Sequence, residues 1–333
     1  LGHGLLVDLV EEVDALGPGL RLELGLAAQQ LLLLVTQRAG PLEVLITEAL
    51  TRGGSAPRSR LCVPTMLPLS DDRHLTLPRL TRAAAPLTRE VDVLDEFGQR
   101  RKMHIPAERP LTLYVDKREI VTLMTLGAAP ELLALGYLRN QQLIATLDEI
   151  DSVTVDWDVG AAAVKTRGGN MDFEARTARR IVTTGCGQGT MFGSLMEQID
   201  KVKLPPAAQA RIRQSTLHTL SEAMRKIDSV RRRAGSVHGC ALFRGTEMLT
   251  FVEDVGRHNA IDTIAGWMWL HGVGGADKIF YTTGRLTSEM VIKSAQMGVP
   301  IIVSRSGITQ MGLQIAQRLG LALFGRATNR HFI

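Results

Sequence analysis

The chain has 333 residues, 45% hydrophobic and 22% charged, with a net charge of +5. These are the proportions of a globular protein long enough for two domains, and they exclude a disordered chain, a collagen-like repeat or a disulfide-stapled miniprotein. Cys62, Cys186 and Cys240 are too few and too scattered for a disulfide framework or a four-cysteine zinc site. No apolar run approaches the roughly 18 to 20 residues that span a bilayer. The N-terminus opens on Asp8, Glu11, Glu12 and Asp14 rather than on a basic stretch, so no secretory signal is expected and the location is read as cytoplasmic. The positive charge is mostly arginine, which favours anionic ligands without singling out nucleic acid. Aromatics at 4% leave no stacking platform for single strands.

In chain order, residues 1–65 contain no Met, Phe, Tyr, Trp, Lys or Asn, while leucine takes sixteen of the first fifty places. Two readings stand: a leucine-rich helical extension, or residues preceding a natural start near Met66. On either, residues 1–100 are expected to be a poorly ordered leader of no assigned function, because Gly17-Pro18-Gly19 and the stretch 52–60 break any helix and residues 66–101 are polar and arginine-rich.

Residues 101–184 read as a small mixed α/β domain. Strands are predicted at 111–115 and 119–124 around an Asp116-Lys117 turn, a helix at 130–138, and short strands at 153–157, 161–166 and 172–175. A long basic helix is predicted over 206–233. Then strands at 240–243, 248–252, 278–282, 300–304 and 321–324 alternate with helices at 260–270, 288–297 and 309–319. Strands alternating with helices of about ten residues predict a mostly parallel sheet, so residues 185–333 form an α/β domain.

In such a sheet the carboxyl ends of the strands share one edge, and ligands bind there. Three loops fall on it: Glu253 to Asn259, containing Gly256, Arg257, His258 and Asn259; Thr282-Thr283-Gly284-Arg285; and Ser304 to Thr309. Each sets glycine, guanidinium or hydroxyl groups before a helix, where free N–H groups and the helix dipole favour an anion. The expected ligand is anionic and nucleotide-like, with Arg257, His258 and Arg285 converging on a phosphate. Cys186 lies in Thr184-Gly185-Cys186-Gly187-Gln188-Gly189, an open loop that suits either a reactive or a structural thiol. Cys240, within an apolar run, reads as core, and Cys62 is given no role. No His-x-Glu accompanies a Pro-Cys-x-x-Cys, so zinc deaminase chemistry lacks its ligands and no metal site is expected. Spacing gives no support to a cysteine hydrolase using Cys186 with His238 or His258.

The strings Val237-His238-Gly239-Cys240-Ala241-Leu242, Glu253-Asp254-Val255-Gly256-Arg257-His258-Asn259-Ala260-Ile261-Asp262 and Thr283-Gly284-Arg285-Leu286-Thr287-Ser288-Glu289 through Lys293 resemble the formate dehydrogenase accessory sulfurtransferase family (FdhD). Glu108-Arg109-Pro110-Leu111 and the segment from Pro130 to Leu138 also fit it. The resemblance covers residue 105 to the end. It implies a cytidine deaminase-like α/β/α C-terminal domain without the zinc site, and a sulfur carrier in which a cysteine desulfurase loads a persulfide on Cys186. The sulfur then passes to the molybdenum or tungsten bis-molybdopterin guanine dinucleotide cofactor destined for formate dehydrogenase. A family cofactor segment matches Arg326, Ala327, Thr328, Asn329, Arg330 and His331, and a homodimer is implied.

Departures from the family pattern are Gly189 where a second cysteine is usual, Ser306-Gly307-Ile308-Thr309 in place of an Ala-Pro-Thr type turn, and Gln141-Gln142 in place of Glu-Gly. One acceptor sulfur is enough for a persulfide. The alternative is a non-catalytic cofactor-binding chaperone that lost transfer with its second thiol.

Overall fold

The computed structural model describes residues 77–169, 181–182, 189–190, 199, 202–206 and 210–333. The chain divides into units Leu1–Arg60 and Leu61–Ile333, and all the described residues belong to the second. The leader to residue 76, the strand expected at 172–175 and Cys186 lie outside the described residues. Cys186 falls in the connection between the paired strands β8 (Ile181–Val182) and β9 (Gly189–Thr190).

The first sheet has the order β1-β6-β7-β4-β5, with β1 Arg79–Leu80, β4 Arg109–Val115, β5 Arg118–Thr125, β6 Ile150–Asp156 and β7 Ala161–Thr166. β4 and β5 form the expected hairpin. Asp116 and Lys117 both take positive φ, 46° and 71°, as a two-residue loop matched to strand twist requires. The Asp116 carboxylate accepts from Thr166 N at 2.9 Å, fixing the turn to β7. Alternation sets Leu111, Leu113 and Val115 inward, where they pack with Val153, Val164 and α1 (Pro130–Asn140).

The stretch before residue 100 differs from the expected leader. β1 pairs in parallel with β6, while β2 (Thr88–Leu94) and β3 (Arg100–Pro106) form a hairpin. Thr81 Oγ1 and Ala83 N donate to buried Glu131 at 2.6 and 2.7 Å, and Trp157 Nε1 donates to Ala83 O. The β2–β3 ribbon buries little of either face, so its charged sequence carries no core-facing alternation to read.

The second sheet has the order β11-β10-β12-β13-β14, with β10 His238–Arg244, β11 Glu247–Asp254, β12 Lys278–Thr282, β13 Ile301–Ser304 and β14 Ala322–Phe324. It is mixed rather than mostly parallel: β10 runs antiparallel to both neighbours, and only β12, β13 and β14 pair in parallel. The expected single helix over 206–233 is two, α2 (Gln214–Lys226) and α3 (Val230–Ala234). Ser229 accepts from Arg232 N as the N-cap of α3, which restarts the helix after the extended Ile227. On one face of the sheet Cys240, Leu242, Phe280 and Ile302 pack with residues of α4 (Arg257–Leu270), α5 (Ser288–Gln296) and α6 (Gln310–Leu319). On the other, Ala241, Phe243, Tyr281 and Val303 pack with Leu217 and Leu220 of α2. Burial on both faces explains the continuous apolar runs.

Helices α1 and α4 cross between the sheets. A Cβ on Gly136 would lie 1.6 Å from Asp262 O, and one on Gly266 2.0 Å from Leu132 O, so only glycine allows this approach. Asn140 Nδ2 donates to Asp262 Oδ1 at 2.7 Å across the same contact.

Candidate functional site

The register of the second sheet sets His238 opposite Asp254, Cys240 opposite Thr282, and Thr282 opposite Ser304. The three expected loops therefore do gather on one edge. The C-terminal segment joins them, because Arg326 N donates to Ser306 O at 2.7 Å and Ala327 N to Ser304 O at 2.9 Å. Thr328 and His331 close a reciprocal turn, which leaves Thr328, Asn329, Arg330 and His331 exposed beside the third loop.

Arg257, His258 and Asn259 belong to the first turn of α4, not to an open loop, and are only 6%, 2% and 1% exposed. Gly256 is the helix N-cap. Asn259 has a scaffolding position, its amide donating to Met124 O and Asp254 Oδ1 at 2.6 and 2.9 Å. Asp254 also accepts from Thr125 Oγ1, Leu126 N and Gly256 N, so it ties the end of β5 to the start of α4. Burial pushes its carboxyl up, against the pull of those donors.

Gly284 is what admits Arg257. A Cβ there would lie 2.7 Å from Arg257 Cδ and 3.4 Å from His238 Nδ1. The guanidinium Nε is buried with no hydrogen-bond partner, and so are His238 Nδ1 and His258 Nδ1. No carboxylate among the described residues stands within ion-pair distance of Arg257. Burial, then Arg257, Arg231 and Arg285, hold His238 below its ordinary value. Burial, then Lys293, Arg257 and His238, push His258 down to about 2. Both imidazoles are therefore neutral at pH 7. Behind them, His258 Nε2 lies 3.3 Å from Glu289 Oε2, and Lys293 Nζ lies 2.7 Å from Asp262 Oδ2 with both groups fully buried. Arg285 is exposed. The expected convergence of Arg257, His258 and Arg285 on one phosphate is thus divided by burial, because helix α4 starts at Arg257 and draws the first two inward.

An outer groove joins the expected Asn329 and Arg330 to residues that sequence reasoning passed over, Arg225 and Arg231 among them. A cavity of about 490 Å³ is lined by Arg231, Ser236 and His238. It meets one of about 160 Å³ at Arg231, lined also by Arg225, Thr283, Arg305 and Asn329. That one in turn meets a cavity of about 440 Å³ at Arg225 and Asn329, which adds His218, Glu222 and Arg330. Arg231, Arg305, Arg225 and Arg330 are thus distributed along the groove. The basic composition of the helix predicted over 206–233 was the available signal for Arg225 and Arg231. Cys240 is structural as expected: its Sγ donates to Thr282 Oγ1 at 3.2 Å, and burial pushes the thiol up to about 12.

The model of the FdhD/NarQ family matches residues 106–333. The chain belongs to that family. It is 31% identical over 225 residues to the sulfur carrier protein FdhD of Bacillus licheniformis, covering 68% of this chain and 85% of the relative. It is 29% identical over 225 residues to the protein of the same name in Bacillus subtilis, with the same coverage. A solved structure from Desulfotalea psychrophila, described as a formate dehydrogenase accessory protein, superposes with a TM-score of 0.58 at 26% identity, over 74% of this chain and 96% of that one. Among the described residues no helix is long and apolar enough to cross a membrane, and no group of three or more His, Cys, Asp or Glu is placed to hold a metal ion.

Proposed function

We propose that this FdhD/NarQ protein is a sulfur carrier that serves formate dehydrogenase, acting as a sulfurtransferase through a persulfide on Cys186. A cysteine desulfurase supplies the sulfur, and the acceptor is a molybdenum or tungsten bis-molybdopterin guanine dinucleotide, bound as substrate in the outer groove. The relatives named sulfur carrier protein support the first half of this reading. The groove supports the second and is the observation that carries it: Arg231, Arg305, Arg225 and Arg330, distributed along adjoining cavities, offer forked donors to phosphates. On this reading Arg285 and the segment Arg326, Ala327, Thr328, Asn329, Arg330 and His331 line the nucleotide, and Gly256 and Asn259 brace the edge. The second sheet with its helices is the cytidine deaminase-like unit, residues 101–184 the smaller one. The protein acts in the cytoplasm as a homodimer.

A cofactor-binding chaperone without transfer is the second reading, favoured by Gly189 in place of a second cysteine. Both need the groove; only the first needs the thiol. Complementation of a strain lacking this activity with Cys186→Ala separates them. Loss of formate dehydrogenase activity is expected, and full activity refutes the persulfide. For the groove, calorimetry with GDP should show affinity weakened at least tenfold in Arg305→Ala or Arg285→Ala, since one charged contact contributes about 1.5 to 3 kcal/mol. Unchanged affinity in both places the nucleotide elsewhere.

A further inference from the structure

We propose that Arg257, with His238 and His258 beside it, forms an inner subsite for a small sulfur monoanion, joined to the groove at His238 and resting on the sulfur-carrier reading. A guanidinium withdrawn from water without a counter-ion is costly to the fold, yet Arg257 is 6% exposed, its Nε has no acceptor, and no carboxylate among the described residues pairs with it. The carboxylates nearby are already engaged. Asp254 is taken by four donors, Asp262 by Lys293 and Asn140, and Glu289 stands on the far side at His258 Nε2. Arg231 and Arg285 add positive potential from α3 and the loop after β12, which joins burial and Arg257 in lowering His238. His238 Nδ1, unpartnered, can turn an N–H group toward an anion, while the neutral His258, its Nε2 facing Glu289, walls the site behind Arg257.

Burial and charge select the class of ligand. With Arg257 6% and His258 2% exposed, an occupant beside them gives up much of its hydration, which strongly hydrated phosphate resists and a soft sulfur anion tolerates. One uncompensated guanidinium balances one negative charge. Hydrosulfide and the ionised end of a persulfide share this chemistry. A persulfide reaches it by giving its terminal S–H proton to water, with no electron moved and the S–S bond intact. A guanidinium beside the sulfur favours that ionisation, as it does for thiols. Gly284 belongs to the same device, because a side chain there would occupy the space of the Arg257 stem.

The test uses the full chain, wild type and Arg257→Met, melted and titrated at constant ionic strength with thiocyanate as a sulfur monoanion and inorganic phosphate as the hydrated comparison. Without anion, Arg257→Met should melt above wild type, since it removes an unpaired buried charge. Thiocyanate should raise the wild-type melting temperature and bind Arg257→Met at least tenfold more weakly, while phosphate moves both equally. A variant that melts lower and binds thiocyanate as wild type does overturns the proposal and makes Arg257 a structural cation. An Arg257-dependent response to phosphate but not to thiocyanate overturns the assignment to sulfur. Should Arg257→Met fail to fold, Gly284→Ala should show the same tenfold loss, and intact thiocyanate binding there counts against the site. Persulfide-loaded wild type that no longer takes up thiocyanate identifies the persulfide end as occupant, and continued uptake identifies a free anion. None of these readouts depends on formate dehydrogenase activity, so the subsite and the Cys186 reading fail separately.

Discussion

Acidification should destabilise the protein through His258, by an amount the site geometry sets. The imidazole is 2% exposed, and burial with Lys293, Arg257 and His238 lowers its pKa to about 2 from the 6.5 of an unfolded chain. The folded state therefore binds no proton at pH 5, whereas the unfolded state has bound nearly a full one. Stability is lost as pH falls through 6.5, at about 1.4 kcal/mol per unit once the unfolded imidazole is charged. Between pH 7 and pH 5 this amounts to about 2 kcal/mol. His238, lowered in the same direction, adds to the loss, while Glu253 and Asp254, raised by burial, work against it as they approach their own titration. The wild type is therefore compared with His258→Asn, which keeps a polar side chain and removes the titration. Urea unfolding at pH 7 and pH 5 should show the wild type losing about 2 kcal/mol more than the variant. Parallel pH dependence in the two proteins would refute the neutral, desolvated imidazole.

Other consequences are as specific. Lys293→Met should lower stability by about 3 to 5 kcal/mol by stranding the Asp262 carboxylate in the interior, and the double variant Lys293→Met/Asp262→Leu should recover most of it in chemical denaturation. Gly136→Ala forces α1 and α4 apart, because its Cβ meets Asp262 O at 1.6 Å; a cost of about 3 kcal/mol or more should appear as a large fall in melting temperature, and an unchanged value would contradict the close crossing. A chain starting at Met66 should melt with the full-length protein. One starting at Ala107 should melt lower, since it loses β1 and leaves buried Glu131 without the Thr81 and Ala83 donors.

What the sequence disclosed, and what it withheld, divides by the range of the interaction. The Asp116-Lys117 turn, the helices after Gly256 and Thr287, and the gathering of three loops on one sheet edge follow from local periodicity and from the rule that parallel strands end together. The β2–β3 ribbon escaped because a two-stranded element with both faces wet needs no apolar alternation. The pairing of Asp262 with Lys293 escaped for a different reason: 31 residues separate partners that only the packing of α4 on α5 brings together. Gly136 and Gly266 likewise look like ordinary helix-weakening glycines until the helices cross. The groove arginines come from α2, α3, the loop after β13 and the C-terminal segment, and no local motif unites four such sources.

The same long-range packing explains why adjacent residues at the start of α4 serve different ends. His258 and Asp262 lie one turn apart on α4, Glu289 and Lys293 one turn apart on α5, and the cross-pairs at 3.3 and 2.7 Å form a buried ladder between the helices. Arg257 is one residue from His258, hence rotated about 100° around the helix, which turns it away from the ladder and over Gly284 toward the sheet edge. Lys293 compensates Asp262 and the neutral His258 faces Glu289 through Nε2, so the ladder can hold α5 against α4 without any ligand. Arg257 has no such compensation among the described residues. Among the described residues Asp254 is satisfied by four donors and Lys293 by a carboxylate, while the guanidinium between them has no ion-pair partner, so a stability cost sits at a position where an incoming anion would remove it.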